Sequence, residues 1–252
     1  MEKITSTTNQ YVKLARSLKN KKERDLTKKF VIEGKKLLVE AIKENIKIDY
    51  GLVDENSTEL IQFCEQNSIK YFVVDGNILP SLSDTQTPQG IVCVCYQNTQ
   101  DFALPTGNSL ILDRLQDPGN LGAIMRSAAA FNFKDIYLID CVDPYSEKVV
   151  RSSMGNMFKL SLHKATIEQL NNAKKEFKSK FIVADMFGEN LSRNCLPKGK
   201  FAVIIGNEGK GVSDEMMSLA DKTLSIPMQN GVESLNASVS ASIIMYFLTQ
   251  GE

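Results

Sequence analysis

Twice along this chain, short β-prone runs alternate with helix-like runs, and that repetition leaves few folds open. Residues 29–33, 48–53, 71–74 and 90–96 read as strands, with helices at 9–18, 34–44 and 58–66 and a charged turn at 19–24. Residues 97–108 carry Pro105 and Gly107 without periodicity and read as a linker. The alternation restarts with strands at 110–113, 135–140, 181–184, 201–206 and 224–226, separated by helices at 120–131, 148–154, 166–177 and 213–220. A last helix starts at Ser234 or Asn236, both good N-cap residues. The spacing predicts an α/β protein: a small α/β domain over 1–96, a linker over 97–108, and a second α/β domain over 109–252 built on a mostly parallel sheet.

Several classes of function are disfavoured. No apolar run approaches the roughly 20 residues that cross a bilayer, and the first residues lack the apolar core of a signal peptide, which points to the cytoplasm. Five scattered cysteines, with Cys93 and Cys95 alternating on a strand, suit buried free thiols better than a zinc or redox site. His163 is the single histidine, so neither a His-based metal site nor a Ser-His-Asp triad is expected. Net charge is zero but uneven: residues 1–50 hold 13 Lys and Arg against 7 Asp and Glu. That excess suits an anionic partner.

Three loops follow the carboxyl ends of strands, where open α/β sheets hold ligands. In the first, Pro118-Gly119 sets a turn, Asn120 offers an N-cap and Arg126 follows within two helical turns. Arg beside such a turn suits phosphate. The second, Gly206-Asn207-Glu208-Gly209-Lys210-Gly211, has three glycines in six residues and matches neither a dinucleotide fingerprint nor a P-loop. The third, 227–233, is a polar loop rich in accessible main chain, followed by small residues at 237, 238, 241 and 242 on one helix face.

Together, Asp117-Pro118-Gly119-Asn120-Leu121-Gly122 with Arg126, Ile205-Gly206-Asn207-Glu208-Gly209-Lys210-Gly211, and Ile226-Pro227-Met228 with Ser234-Leu235-Asn236-Ala237 resemble the three motifs of the SpoU (TrmH) family of RNA ribose 2′-O-methyltransferases, in order. The likeness covers residues 109–252. Residues 1–96 resemble the substrate-binding domain that often precedes it, through Phe30-Val31-Ile32-Glu33-Gly34 and Gln89-Gly90-Ile91-Val92. Asn132 stands where many relatives have Gly, a departure that still tolerates the left-handed conformation at a helix end.

The resemblance implies a trefoil-knotted (SPOUT) α/β methyltransferase domain that binds S-adenosylmethionine and pairs as a homodimer through the knot region. It places cofactor contacts at Gly206, Ile226, Met228 and Leu235, and the polar active-site group at Asn120, Arg126, Glu208, Ser234 and Asn236. The reaction is in-line attack of a ribose 2′-oxygen on the sulfonium methyl. Arg126, whose guanidinium offers five N–H donors and no acceptor, is expected to grip a phosphate and stabilise alkoxide charge rather than act as base. RNA is the expected partner, ribosomal ahead of transfer RNA, with a footprint at Lys19, Lys21, Lys22, Arg24, Lys28, Lys29 and Lys35 and no metal. The alternatives are a transfer RNA methyltransferase and a non-catalytic RNA-binding assembly factor that keeps the knot.

Overall fold

Asn9 and Asn20 begin the first two helices, each side chain accepting a hydrogen bond from the backbone N–H two residues on. The computed structural model describes residues 3–83, 88–232 and 234–250. Its chain divides into two compact units, Met1–Asn98 with Tyr145–Phe158, and Thr99–Pro144 with Lys159–Glu252.

The first unit contains β1 (Lys3–Ile4), α1 (Gln10–Ser17), α2 (Lys21–Thr27), β2 (Lys29–Glu33), α3 (Lys35–Lys43), β3 (Ile48–Asp54), α4 (Thr58–Gln66), β4 (Tyr71–Val74) and β5 (Ile91–Tyr96). Its sheet runs β1-β4-β3-β5-β2, with β5 antiparallel to both neighbours and the other pairs parallel. Val12, Ala15 and Leu18 of the first helix and its end pack on Tyr50, Leu52, Phe72, Val74, Val92 and Val94 of the sheet. The expected charged turn at 19–24 largely becomes α2. Arg24 is consequently buried, at 4% exposure, and donates from Nη1 to the carbonyls of Leu18 and Lys19 at 2.7 and 2.8 Å. It satisfies carbonyls that the end of α1 leaves open, so it is a tie within the unit and not a phosphate contact.

The chain continues through β6 (Thr99–Gln100), β7 (Ser109–Asp113), α5 (Pro118–Ala130), β8 (Asp135–Ile139), α6 (Glu147–Ser152), β9 (Ser161–Lys164), α7 (Ile167–Phe177), β10 (Lys180–Asn190), β11 (Phe201–Ile205), α8 (Asp214–Ser218), β12 (Lys222–Ser225) and α9 (Ala237–Thr249). The strands from β6 on form one seven-stranded sheet, β12-β10-β11-β7-β8-β9-β6, parallel throughout. Ile111, Tyr137, Phe181, Val183, Ala202 and Ile204 build the core with Leu170 and Met216. α6 belongs with the first unit: Tyr145 and Phe158, on either side of it, pack at a tilt against Phe30 at 4.9 and 6.3 Å between ring centroids. Among the described residues, no helix is long and apolar enough to cross a membrane. Cys64, Cys93, Cys95 and Cys195 are buried free thiols, as expected, while Cys141 is half-buried. Burial pushes Cys64 up to about 11.

His163 pins the start of the second unit to its sheet. Its Nδ1 faces the carbonyl of Asp101 at 2.9 Å and its Nε2 the Asp135 carboxylate at 3.1 Å, so both ring nitrogens meet acceptors and the imidazolium fits best. Asp135 also accepts from the Thr106 amide and hydroxyl. Burial opposes both charges, but the bonds between them and to Asp101 and Thr106 outweigh it, raising His163 and lowering Asp135 from their ordinary values. A raised histidine contributes stability that is complete below about pH 6.5 and lost as pH rises through its folded-state value; Asp135 contributes above about pH 3.9, lost as pH falls through its depressed one. The stability gap between the wild type and His163→Gln, measured by urea unfolding, is therefore expected to shrink as pH rises above about 6.5. A constant gap would assign His163 to packing alone.

Candidate active site

The loops after β7, β11 and β12 converge on the side chain of Asn120. Asp117, not Asn120, is the cap of α5, accepting from the Asn120 N–H at 2.8 Å. Asn120 then lies inside the first helical turn, buried at 9% exposure, and its amide is free of capping duty. Its Nδ2 donates to Glu208 Oε1 at 3.1 Å, and its Oδ1 accepts from Asn236 Nδ2 at 2.9 Å. Asn236 caps α9 with its own oxygen, taking the N–H of Ser238 at 2.9 Å. Glu208 further accepts the N–H of Asp117 at 3.0 Å and of Gln116 at 3.3 Å. Burial would raise Glu208, but the bonds from its own backbone, Asn120, Asp117 and Gln116 win and hold it below the usual carboxylate range. An acceptor surrounded by donors in this way fixes both amide orientations and is a poor proton acceptor.

The second loop is closed on itself. Asn207 and Gly211 exchange backbone hydrogen bonds at 2.9 and 3.0 Å, and the Asn207 side chain takes the N–H groups of Gly209 and Lys210 while donating to the Arg114 carbonyl at 2.8 Å. Gly206 runs so close beneath that a Cβ there would stand 2.2 Å from the Gly211 carbonyl carbon. A cavity of about 290 Å³ opens against this main chain. Gly206, Ile226, Met228 and Leu235, all expected on the cofactor, line it, as do Glu208 and Ser234. Asp185 and Met186 line it as well and were not anticipated, since the sequence reading ends that strand at 184. The rule that ligands gather beyond the carboxyl ends of parallel strands would have found them.

Arg126 is not brought into this cavity. Six residues beyond Asn120 it points about 120° round the helix axis, is exposed, and among the described residues no hydrogen bond or ion pair engages its guanidinium. Beside it α5 packs on α9, with Ser127 Oγ 2.7 Å from Ser242 Oγ and Phe131 against Tyr246 at 5.7 Å.

In the first unit, Lys19, Lys21, Lys22 and Lys28 are exposed. Lys19 donates to the Ser83 carbonyl at 3.3 Å. Lys29 is tied to Asp49 at 2.8 Å and Lys35 to Glu59, which compete with any phosphate.

Residues 107–246 match the SpoU rRNA Methylase family, and residues 9–93 the MRM3-like substrate binding domain. The chain belongs to the SpoU rRNA methylase family. Over 254 residues it is 32% identical to the Bacillus subtilis 23S rRNA (guanosine(2553)-2′-O)-methyltransferase RlmP, covering 98% of this chain and 99% of that one. The AdoMet-bound rRNA methyltransferase of Sinorhizobium meliloti superposes with a TM-score of 0.88 at 25% identity, covering 99% and 98% of the two chains. A solved RNA 2′-O ribose methyltransferase does so at 0.82 and 28% identity, covering 98% of each. As a SpoU methylase, the protein is an S-adenosylmethionine-dependent RNA ribose 2′-O-methyltransferase.

The cavity suits that cofactor. Leu224, Ile226, Leu235 and Ile244 give apolar walls for an adenosine, the Gly206 main chain gives a close backbone floor, and the carboxylates of Asp185 and Glu208 suit a ligand that carries a sulfonium charge.

Proposed function

We propose that the protein methylates a ribose 2′-hydroxyl of 23S ribosomal RNA in the cytoplasm. The observation that carries the reading is the Glu208–Asn120–Asn236 network, which joins all three motif loops at the wall of a cavity suited to S-adenosylmethionine. The near end-to-end likeness to the B. subtilis enzyme favours the large-subunit RNA over transfer RNA.

Gly206, Ile226, Met228 and Leu235 hold the cofactor, which when bound supplies an electrophilic methyl group. Ser234 and Asn236 orient the ribose at the cavity rim, positioning the 2′-oxygen for in-line attack. Glu208 anchors the loops and leaves the proton alone. Arg126, unengaged among the described residues and outside the cavity of its own copy, serves the cavity of a second copy, where it grips a substrate phosphate and stabilises the charge that grows on the 2′-oxygen, whose proton passes to that phosphate or to water.

The working form is a homodimer in which α9 is covered by a second copy. Val239, Ile243 and Tyr246, spaced along one side of α9, are 46%, 37% and 54% exposed, an apolar stripe that wants a partner. The C-terminal segment is threaded as the family's trefoil knot. In the first unit, Lys19, Lys21, Lys22 and Lys28 contact RNA phosphates, with Lys29 and Lys35 contributing as their carboxylate partners yield.

The test is transfer of labelled methyl to unmodified 23S, 16S and transfer RNA, with positions mapped as alkali-resistant linkages. Label confined to one 23S ribose supports the reading; label in transfer RNA alone, or none in any RNA that binds, overturns it. Charge reversal at Lys21 and Lys22 is expected to weaken RNA binding and to flatten its dependence on salt by about 0.7–0.9 log units per lost phosphate contact. An unchanged slope would remove the footprint from α2.

A further inference from the structure

Phe187 is 87% exposed, more than any other large apolar side chain of the described residues. A ring left this far in water keeps a large apolar surface hydrated, so its exposure calls for an occupant. β10 carries it on an irregularity: Ala184 and Glu189 both register with Leu224 of β12, so residues 185–188 stand out from the sheet between two points of pairing. The projection is anchored at each end. Asp185 Oδ1 accepts from the Phe187 N–H at 2.9 Å, Ser225 Oγ donates to the Gly188 carbonyl at 3.0 Å, and Gly188 is wedged against the β12 backbone.

Its position gives the ring a purpose. Ala184, Asp185 and Met186 line the cofactor cavity, whereas Phe187 does not, so the ring stands at the rim and outside the space for the methyl donor. Apart from Met186, its chain neighbours are Asp185, Gly188, Glu189 and Asn190, polar or small residues unlike the apolar stripe of α9. A ribose brought to this cavity carries a base that must leave its stack, and an unstacked base binds best on an aromatic face. The chain has no tryptophan.

We propose that Phe187 is a stacking platform for a base of the RNA substrate, at or next to the methylated nucleotide, and hence a positioning residue for the reaction; this rests on the RNA-methylating reading above. The platform is held by the β10 bulge before RNA arrives, so little ordering is lost on binding.

The test compares Phe187→Ala, Phe187→Leu and Phe187→Tyr in methylation of unmodified 23S rRNA, alongside calorimetric S-adenosylmethionine binding and sedimentation. Phe187→Ala is expected to raise the KM for RNA roughly ten- to a hundredfold, with cofactor Kd and oligomeric state unchanged; Phe187→Tyr restores the KM and Phe187→Leu does not. An unchanged KM overturns the proposal. Weakened cofactor binding makes the ring a cover for the cofactor instead, and dissociation to monomers, or rescue by leucine equal to that by tyrosine, makes it an apolar contact with a second copy. If the wild type methylates no ribosomal RNA, the functional reading fails and this inference with it; wild-type activity with an indifferent Phe187→Ala fails this inference alone.

Discussion

Arg126→Ala is expected to lower methyl transfer to RNA by about a hundred- to a thousandfold, the loss typical of removing one preorganised donor from a developing oxyanion, while S-adenosylmethionine binds as before. The separation follows from geometry. Arg126 lies outside the cavity that Gly206, Ile226, Met228 and Leu235 line, so truncating it leaves the cofactor contacts intact. It is also exposed, so the fold should not suffer. Arg126→Lys separates charge from shape: a single ammonium keeps the charge and loses the planar fork that engages phosphate through two bonds. Single-turnover transfer of labelled methyl, with calorimetry for the cofactor, reads both effects. A lysine variant at wild-type rate would show that charge alone is needed, and an alanine variant at wild-type rate would remove Arg126 from the chemistry.

Gly206→Ala is expected to be worse tolerated, because what it meets is main chain. The new Cβ would stand 2.2 Å from the Gly211 carbonyl carbon, 2.3 Å from the Val212 nitrogen and 2.4 Å from the Gly211 oxygen, and no rotamer change relieves a backbone contact. Forced overpacking of this kind costs about 1–3 kcal/mol, sometimes more, and here it opens the loop that carries Glu208. Loss of cofactor binding and a lower unfolding midpoint should therefore appear together. Gly209→Ala is the control from the same loop: its Cβ would come no nearer to the protein than 3.8 Å, to Asn207 Oδ1, so its unfolding midpoint should stay at the wild-type value. If both variants behave alike, the tight crossing under Gly206 is not what shapes the cavity.

The two-part α/β organisation and the parallel second sheet were legible because strands of four to seven residues recur between helices of regular period. β1, β6 and β9 were missed: strands of two residues are defined by their partners and have no period of their own, and Ser161-Leu162-His163-Lys164 has a single aliphatic residue among polar ones. The loops around Asn120, Glu208 and Asn236 were legible as motifs, but not the wiring. Asp117 takes the cap that Asn120 was expected to make, and only this leaves the Asn120 amide to bridge Glu208 and Asn236. Arg24 illustrates the opposite error. In a run of lysines it reads as one more surface charge, yet its guanidinium can reach two carbonyls at the end of α1 that a shorter side chain would miss. Local composition is blind to such reach.

The chain leaves its first compact unit after Asn98, returns at Tyr145 and leaves again after Phe158. Tyr145 and Phe158 complete the aromatic cluster on Phe30, and the Tyr145 hydroxyl takes the N–H of Asn98. The front unit is therefore not a cassette. A recombination event that exchanged residues 1–98 for those of a relative would arrive without the fragment that completes its core, and a shortened protein beginning at Thr99 would carry that fragment with nothing to pack on. Substrate recognition and methyl transfer in this lineage should consequently change hands together, with residues near Phe30 drifting in step with those near Tyr145, and graft experiments should succeed only when both pieces travel.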